Sequence, residues 1–387
     1  MSTMRFWRSA QAVTQRRAAF STSPRRLDNY AFIGLGQMGY QMAKNLQSKL
    51  SPSDKIRLFD VNSSAAEKLD VDIRHRDGGA SPEVATELED AVRNVDVVIT
   101  CLPQPKHVRG VYQKILSHLA TNEDEKPRQR RRLFIDCSTI DPQTSKGVAE
   151  IVSQTLEPTG GGDFVDAPMS GGVVGATAGT LTFMLGAPLP LVDRVEPILQ
   201  KMGKRVLHCG EQGSGLVAKL ANNLVLGVQN IVVSEAMLMG IRSGVDPKVL
   251  ADVINVSTGR CWASEVNNPV PGVVETAPAS RGYQGGFGIE LMKKDMDLAI
   301  AAANDVGIWL PTGELAQKAY AEIAGIPEFA KQDFSVVYEV FRRGAEAESS
   351  SQTEDPALNA AMLAGGGIHH GDVGGLGGGD AGGGGGE

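Results

Sequence analysis

The sequence predicts an α/β fold, a doubly wound parallel sheet, followed by an all-helical domain built on one long central helix. Three observations carry this reading. A glycine turn, Gly34-Leu35-Gly36-Gln37-Met38-Gly39, follows a short apolar segment and opens a helical pattern; apolar segments of strand length then alternate with helical stretches; and Ser214 to Ser243 runs as one helical periodicity with no proline. The chain has 387 residues, more than the roughly 100–200 of a typical domain. We divide it into a presequence (1–27), a dinucleotide-binding α/β domain (28–194), a helical substrate and dimerisation domain (195–345) and a disordered glycine-rich tail (346–387).

Composition narrows the function classes. Hydrophobic residues make up 42% and charged residues 21% of the chain, as in soluble globular proteins, and no uninterrupted run of about 18 apolar residues offers a membrane span. The net charge of −7 supplies no overall basic field for a nucleic-acid backbone. Four scattered cysteines, Cys101, Cys137, Cys209 and Cys261, form neither a zinc ribbon nor a CxxC pair and read as reduced thiols. No HExxH pattern occurs, and His369-His370 lies in a glycine tract, so no metal site is expected.

The two ends are not fold. Residues 1–27 carry Arg5, Arg8, Arg16, Arg17, Arg25 and Arg26 and no acid, the composition of a mitochondrial import signal, which places the mature chain in the matrix. Residues 364–387 hold 14 glycines in 24 positions, and ordering them would cost backbone entropy with no side chains to bury.

Within the first domain, Asn29–Ile33 is a strand running into the glycine turn. Gly34 permits the tight turn, Gly36 lets the backbone approach a pyrophosphate, and Gly39 lets helix and strand pack closely, with the helix N-terminus facing the anion. A second strand, Lys55–Phe59, ends in Asp60, 21 residues beyond Gly39, where an acid can bind the adenosine ribose hydroxyls. Its charge would repel a 2′-phosphate, and Val61-Asn62-Ser63-Ser64 offers no arginine to accept one, so the expected cofactor is NAD and not NADP. Ser81-Pro82 reads as a helix start, Val95–Cys101 and Leu133–Cys137 as buried strands, and Asp141-Pro142 as another helix start. Turns after such strands face the cofactor crevice, which puts Leu102-Pro103 and Ser138-Thr139 there. The charged run from Asn122 to Arg132 reads as a solvated insertion.

Beyond Asp166 the segment Ser170-Gly171-Gly172, with Gly175 and Gly179, can aim backbone amides and one hydroxyl at a small anion such as a carboxylate; an ordinary flexible loop would look the same. On the long helix Lys219 and Asn223 lie four apart and share a face, either as a site or as solvated polar residues. Further helices are expected over Pro247–Ile254 and Leu291–Val306. Lys293-Lys294-Asp295 on the latter reads by default as a charged face, and the preceding Gly285-Gly286-Phe287-Gly288 can turn the chain back towards the cleft.

Taken together, the glycine turn with Met42-Ala-Lys-Asn-Leu46, the Ser170-Gly-Gly segment through Leu181-Thr-Phe-Met184, Gly213-Ser-Gly followed by Lys219 and Asn222-Asn223, and Lys294-Asp295 resemble the β-hydroxyacid dehydrogenases over about residues 29–343. The resemblance implies a Rossmann domain followed by an all-helical domain, a small hydroxyacid substrate, and a homodimer or homotetramer. It implies that Lys219 is the catalytic acid and base, and that Ser170, Gly171, Gly172, Asn223 and Trp262 hold the substrate. Leu102, Pro103, His107, Thr139, Phe287 and Lys294 then join the glycine turn and Asp60 around NAD. His107 stands where close relatives carry asparagine, and the insertion after Asn122 is extra. Gly259-Arg-Cys-Trp262 followed by Asn268-Pro-Val-Pro-Gly272 resembles the mitochondrial branch that oxidises (S)-3-hydroxyisobutyrate to methylmalonate semialdehyde in valine breakdown. Reductases of tartronate, glyoxylate or succinate semialdehyde are the alternative, and a non-catalytic scaffold of the same fold a more distant one.

Overall fold

A computed structural model describes residues 28–74, 78–121 and 130–349. The presequence, residues 122–129 of the insertion, and the tail from residue 350 lie outside the described residues. The first half alternates strand and helix: β1 (Asn29–Ile33), α1 (Gln37–Lys49), β2 (Lys55–Phe59), α2 (Ser63–Arg74), β3 (Ser81–Val84), α3 (Leu88–Val92), β4 (Val97–Thr100), α4 (Pro105–Thr121), β5 (Arg132–Asp136), α5 (Pro142–Leu156) and β6 (Gly162–Asp166). Next come β7 (Met169–Ser170), α6 (Gly172–Ala178), β8 (Leu181–Gly186), α7 (Leu189–Leu199) and β9 (Gly203–Gly210). The helical part is α8 (Ser214–Arg242), α9 (Pro247–Val256), α10 (Trp262–Glu265), α11 (Ile289–Asp305), α12 (Pro311–Ala324) and α13 (Val337–Ser349).

The strands form one sheet in the order β3-β2-β1-β4-β5-β6-β8-β7, with β9 on the far side of β8. From β3 to β6 every pairing is parallel; β8 then runs antiparallel to β6 and β7, and β9 parallel to β8. The fold class is as expected, a parallel-dominated, doubly wound sheet, with an antiparallel turn-back added beyond β6. Alternation along each strand separates two cores. Phe32, Ile99 and Ile135 face one layer with Met42, Leu46 and Leu58, while Ile33, Val98 and Phe134 face the other with Tyr112 and Ile115.

Helix α8 joins the two halves. At 1.5 Å per residue it spans roughly 43 Å. Near its start Leu216 packs into the sheet's second core, and further along Leu224, Val228 and Ile231 pack on the helical core of Met292, Met296, Tyr320 and Phe334. By length and composition α8 could also cross a bilayer, although its apolar residues are interrupted by polar ones. Its role as a shared core helix accounts for that composition: its buried face carries Lys219, Asn223 and Asn230, and it packs on the sheet and on α11.

Several local expectations change. Ser81-Pro82 starts a strand and not a helix: β3 is the sheet's edge, where a proline's missing N–H costs no ladder bond. The sheet runs past residue 194, where the sequence placed the domain division, because β9 pairs along the whole of β8. Helix α13 continues through Gly344 to Ser349, four residues into the stretch expected to be tail. Arg131, part-exposed, and Arg132, buried, are tied into the fold rather than free in solvent. Arg131 bonds Asp163 at 2.6 Å and Glu157 at 2.9 Å, and Arg132, the buried first residue of β5, donates to the Val95 carbonyl at 2.7 Å.

Helix α5 starts as expected. Asp141 accepts the Thr144 amide on Oδ1 and the Thr144 hydroxyl on Oδ2, each at 2.7 Å, with Pro142 at the first helical position. Asp141→Ala should therefore cost about 0.5–2 kcal/mol, seen as a lower urea midpoint with an unchanged slope. A midpoint equal to that of the unsubstituted chain would mean that the cap adds nothing.

Candidate active site

The C-terminal ends of β1, β4, β5 and β6 open on one edge of the sheet. The turn after β1 is held by the Gly34 amide on the Phe59 carbonyl (3.0 Å) and the Leu35 amide on Asp60 Oδ2 (2.6 Å). Asp60 Oδ1 accepts the Asn62 amide at 2.8 Å. Two of the glycines are needed by packing: with φ +95°, Gly34 would push a Cβ into the Cys101 carbonyl, and Gly39 would push one into the carbonyl of Gly34. Gly36 differs. A Cβ there meets nothing within 4 Å, and the start of α1 behind it has no side-chain cap. Free helix amides facing open space, with an acid at the end of β2, fit a dinucleotide pyrophosphate and its ribose. Gln37 is exposed at that helix start, and Met38 packs on the core.

The turns after β4 and β5 are braced from beneath. Asp136, fully buried, accepts the Thr100 hydroxyl (2.7 Å) and the Ser138 hydroxyl (2.6 Å) on Oδ1, and Ser138 Oγ in turn accepts the Leu102 amide at 2.8 Å. Tyr112 OH lies 3.1 Å from Thr100 Oγ1. Burial pushes the Asp136 carboxyl above the usual range against these bonds. Leu102, Pro103 and Thr139 thereby sit together at the crevice, and His107 is exposed in the first turn of α4 beside them.

The helical domain reaches this edge through α8 and α11. Lys219 is buried, and its Nζ donates to Asn223 Oδ1 at 3.1 Å. Asn223 Nδ2 donates to Asp295 Oδ2 at 2.6 Å, and Lys294 Nζ lies 3.1 Å from Asp295 Oδ1 as an ion pair. Lys294 also donates to the Thr139 carbonyl at 2.8 Å and the Pro103 carbonyl at 3.4 Å. One polar chain therefore runs from the crevice turns to Lys219. Desolvation pulls the Lys219 ammonium below the ordinary lysine range; the Asp295 carboxylate opposes that shift and the Lys294 charge reinforces it. Lowering the pKa in this way makes the neutral amine, the form that can accept a proton, more accessible.

Ser170, part-exposed in β7, leads into Gly171 (φ +133°) and Gly172 (φ +60°), conformations that side-chain-bearing residues rarely adopt. Both glycines are exposed, so their backbone is open to a ligand. Two further expected residues, Trp262 and Phe287, belong to the helical domain. Trp262 opens α10, about half exposed, with no side-chain hydrogen bond among the described residues. Phe287 is held by the helical domain: its amide donates to Asp333 Oδ2 at 2.7 Å and its ring packs edge-on against Phe334.

The Lys293-Lys294-Asp295 trio divides. Lys293 pairs on the helix surface with Asp297 at 2.6 Å, whereas Lys294 and Asp295 turn inward. Sequence reasoning names Asp295 in a motif but assigns it no role. A signal is available all the same, because Ile289, Met292, Asp295, Met296 and Ala299 are the buried positions of α11 and keep helical spacing.

Residues 29–210 match the family model described as the NAD binding domain of 6-phosphogluconate dehydrogenase, and residues 213–341 match that described as NAD-binding of NADP-dependent 3-hydroxyisobutyrate dehydrogenase. The chain is 40% identical over 312 residues to a probable mitochondrial 3-hydroxyisobutyrate dehydrogenase of Dictyostelium discoideum, covering 81% of this chain and 90% of that one. It is 40% identical over 314 residues to an NAD-dependent L-serine dehydrogenase of Pseudomonas aeruginosa, covering 80% and 97%. Among solved structures, Mycobacterium tuberculosis 3-hydroxyisobutyrate dehydrogenase with L-serine superposes with a TM-score of 0.71 at 36% identity, covering 82% of this chain and all of that one.

The charges around Lys219 make a signed prediction. Lys294→Met should raise the Lys219 pKa, by removing a like charge, and Asp295→Asn should lower it, by removing an opposite one. Titration of the Lys219 ¹³Cε shift, assigned with Lys219→Arg, checks both. Equal values in the parent and the two variants would mean that burial alone sets the lysine.

Proposed function

Because the chain belongs to the 3-hydroxyisobutyrate dehydrogenase family of NAD-dependent oxidoreductases, we propose that it oxidises (S)-3-hydroxyisobutyrate to methylmalonate semialdehyde, as a step of valine breakdown in the mitochondrial matrix. The observation that carries this reading is the buried Lys219, tied through Asn223, Asp295 and Lys294 to the carbonyl of the Thr139 turn. When bound, NAD⁺ supplies the acceptor for the hydrogen and electron pair that leave the CH₂OH carbon. The neutral form of Lys219, favoured by desolvation, takes the hydroxyl proton, and Asp295 stabilises the ammonium so formed. In the reverse direction the same ammonium gives the proton back. Asn223 orients the hydroxyl, and Ser170 with the amides of Gly171 and Gly172 holds the substrate carboxylate, which fixes the reacting carbon. Asp60 favours NAD over NADP by repelling a 2′-phosphate.

We place the domain division at Gly210–Gly213, between the last strand and α8, and the import signal in residues 1–27. Oxidation of L-serine is the second reading: it is the activity named for the Pseudomonas relative and the ligand named for the Mycobacterium structure, and serine shares the CH₂OH group and the carboxylate. Initial rates with NAD⁺ and NADP⁺ and with (S)- and (R)-3-hydroxyisobutyrate, L-serine and D-glycerate separate the readings. The expected outcome is the highest kcat/KM for NAD⁺ with (S)-3-hydroxyisobutyrate. Lys219→Ala should lower kcat at least about 100-fold with NADH affinity retained; an unchanged kcat would remove Lys219 from the mechanism.

The helical domain presents an apolar outer face on α8 and α9, with Val217, Val225, Val232, Val249 and Val253 each more than half exposed and Met239 70% exposed. Such a surface is large for a monomer to leave in water. A homodimer or homotetramer covering it should give at least twice the chain mass in light scattering, and Met239→Glu should shift the protein towards monomer.

A further inference from the structure

Asp166 ends β6 four residues before Ser170, on the edge of the sheet that carries the candidate site, and it is fully buried. Its Oδ1 accepts the Gly213 amide at 2.6 Å and its Oδ2 the Leu216 amide at 2.9 Å. These are the N-cap and a first-turn amide of α8. Gly213, in the left-handed region at φ +90°, has no side chain to close the helix, so the cap comes from the sheet instead. Room has been kept for it. A Cβ on Gly186, the register partner of Asp166 in β8, would strike both carboxylate oxygens, and one on Gly215 would strike Oδ2 and the Met184 carbonyl. An ionised carboxylate here also opposes the positive end of the α8 dipole. Lys219 comes in the next turn of the same helix.

We propose that Asp166 is a positioning residue: by holding the strand that leads to Ser170 and the first turn of α8 on one carboxylate, it sets Lys219 in place against the Ser170–Gly172 segment. This rests on the proposed role of Lys219 and deepens it.

The clamp depends on charge. An ionised carboxylate accepts at both oxygens, whereas the protonated acid carries an O–H on one of them, which cannot face an N–H. Burial pushes the Asp166 carboxyl up to about 7, outweighing the two amide bonds. Asp136 of β5 acts in the same direction, on β9 burial and, less strongly, Asp166 raise the Cys209 thiol, and from α5 the alkyl stem of Lys146 packs against Gly213. Above about pH 7 both amides are held; below it one is released. A carboxyl raised in this way contributes to global stability below its unfolded value near 4 and loses that contribution as pH rises through about 7, so the order imposed on α8 opposes global stability.

Amide hydrogen exchange on the full chain, corrected for intrinsic rates, tests the clamp without reference to turnover. Gly213 and Leu216 should be about tenfold better protected at pH 8 than at pH 6, and Asp166→Asn should abolish the difference; equal protection at the two pH values overturns the proposal. In turnover, Asp166→Asn should lose about tenfold or more in kcat, because small misplacements cost that much, while keeping its NADH affinity. Below about pH 7 the decline in kcat/KM should be one order higher in protons for the parent chain than for the variant, since Asp166 titrates there only in the parent. A merely structural Asp166 would lower the melting temperature and leave kcat per folded molecule and the proton order unchanged. If the asparagine variant does not fold, the pH dependence of Gly213 and Leu216 exchange in the parent chain decides the proposal by itself. Failure of the Lys219 assignment has a separate signature, namely Lys219→Ala retaining kcat while the exchange result stands.

Discussion

An ammonium group held out of water is the constraint on which the rest of the molecule depends. Burying a lone charge costs several kcal/mol, and the group either finds partners or sheds its proton. Lys219 does some of each. Desolvation favours the neutral amine, while Asp295, reached through Asn223, keeps the charged form accessible. Neither extreme would serve a proton acceptor: a bare apolar pocket would leave an amine too weak to take a proton, and a tight ion pair would leave an ammonium unable to release one. Placing the carboxylate one amide away gives an intermediate coupling.

That coupling needs two helices and a sheet to meet at one point. Helix α8 brings Lys219 and Asn223; α11 brings Lys294 and Asp295; and the turns after β4 and β5 offer the Pro103 and Thr139 carbonyls that receive Lys294. Those turns are held in their own right by Asp136, Thr100 and Ser138, a buried network with one oxygen, Asp136 Oδ2, left unpartnered among the described residues. Unsatisfied buried oxygens of this kind cost stability and are found where geometry matters more than stability. At the end of β6, Asp166 gives the neighbouring strand a similar hold on α8.

Much of this is legible from the chain. The turn Gly34–Gly39 can be read because each glycine answers a separate steric demand, and two of the three demands are visible as collisions with a named carbonyl. Asp60 can be read from its distance along the chain, and Lys219 with Asn223 from helical spacing. Ser81-Pro82 misleads because a proline after serine looks the same at a helix start and at a sheet edge, and only the strand order decides between them. Arg131 and Arg132 look like part of a solvated run, since their partners Asp163, Glu157 and the Val95 carbonyl lie more than twenty residues away in sequence.

By itself, then, the sequence determined the features that local sterics and periodicity dictate: the alternating elements, the glycine turn, the long helix, and the presence of a lysine and an amide on one of its faces. The tertiary structure alone decided which charges meet. Asp295 faces Asn223 from 72 residues away, Lys294 spans 155 residues to the Thr139 carbonyl, and Asp166 caps a helix that begins 48 residues later. The physical reason is that the energy of a charge depends on its distance from other charges and from water, and those distances exist only once the helical domain has closed on the sheet.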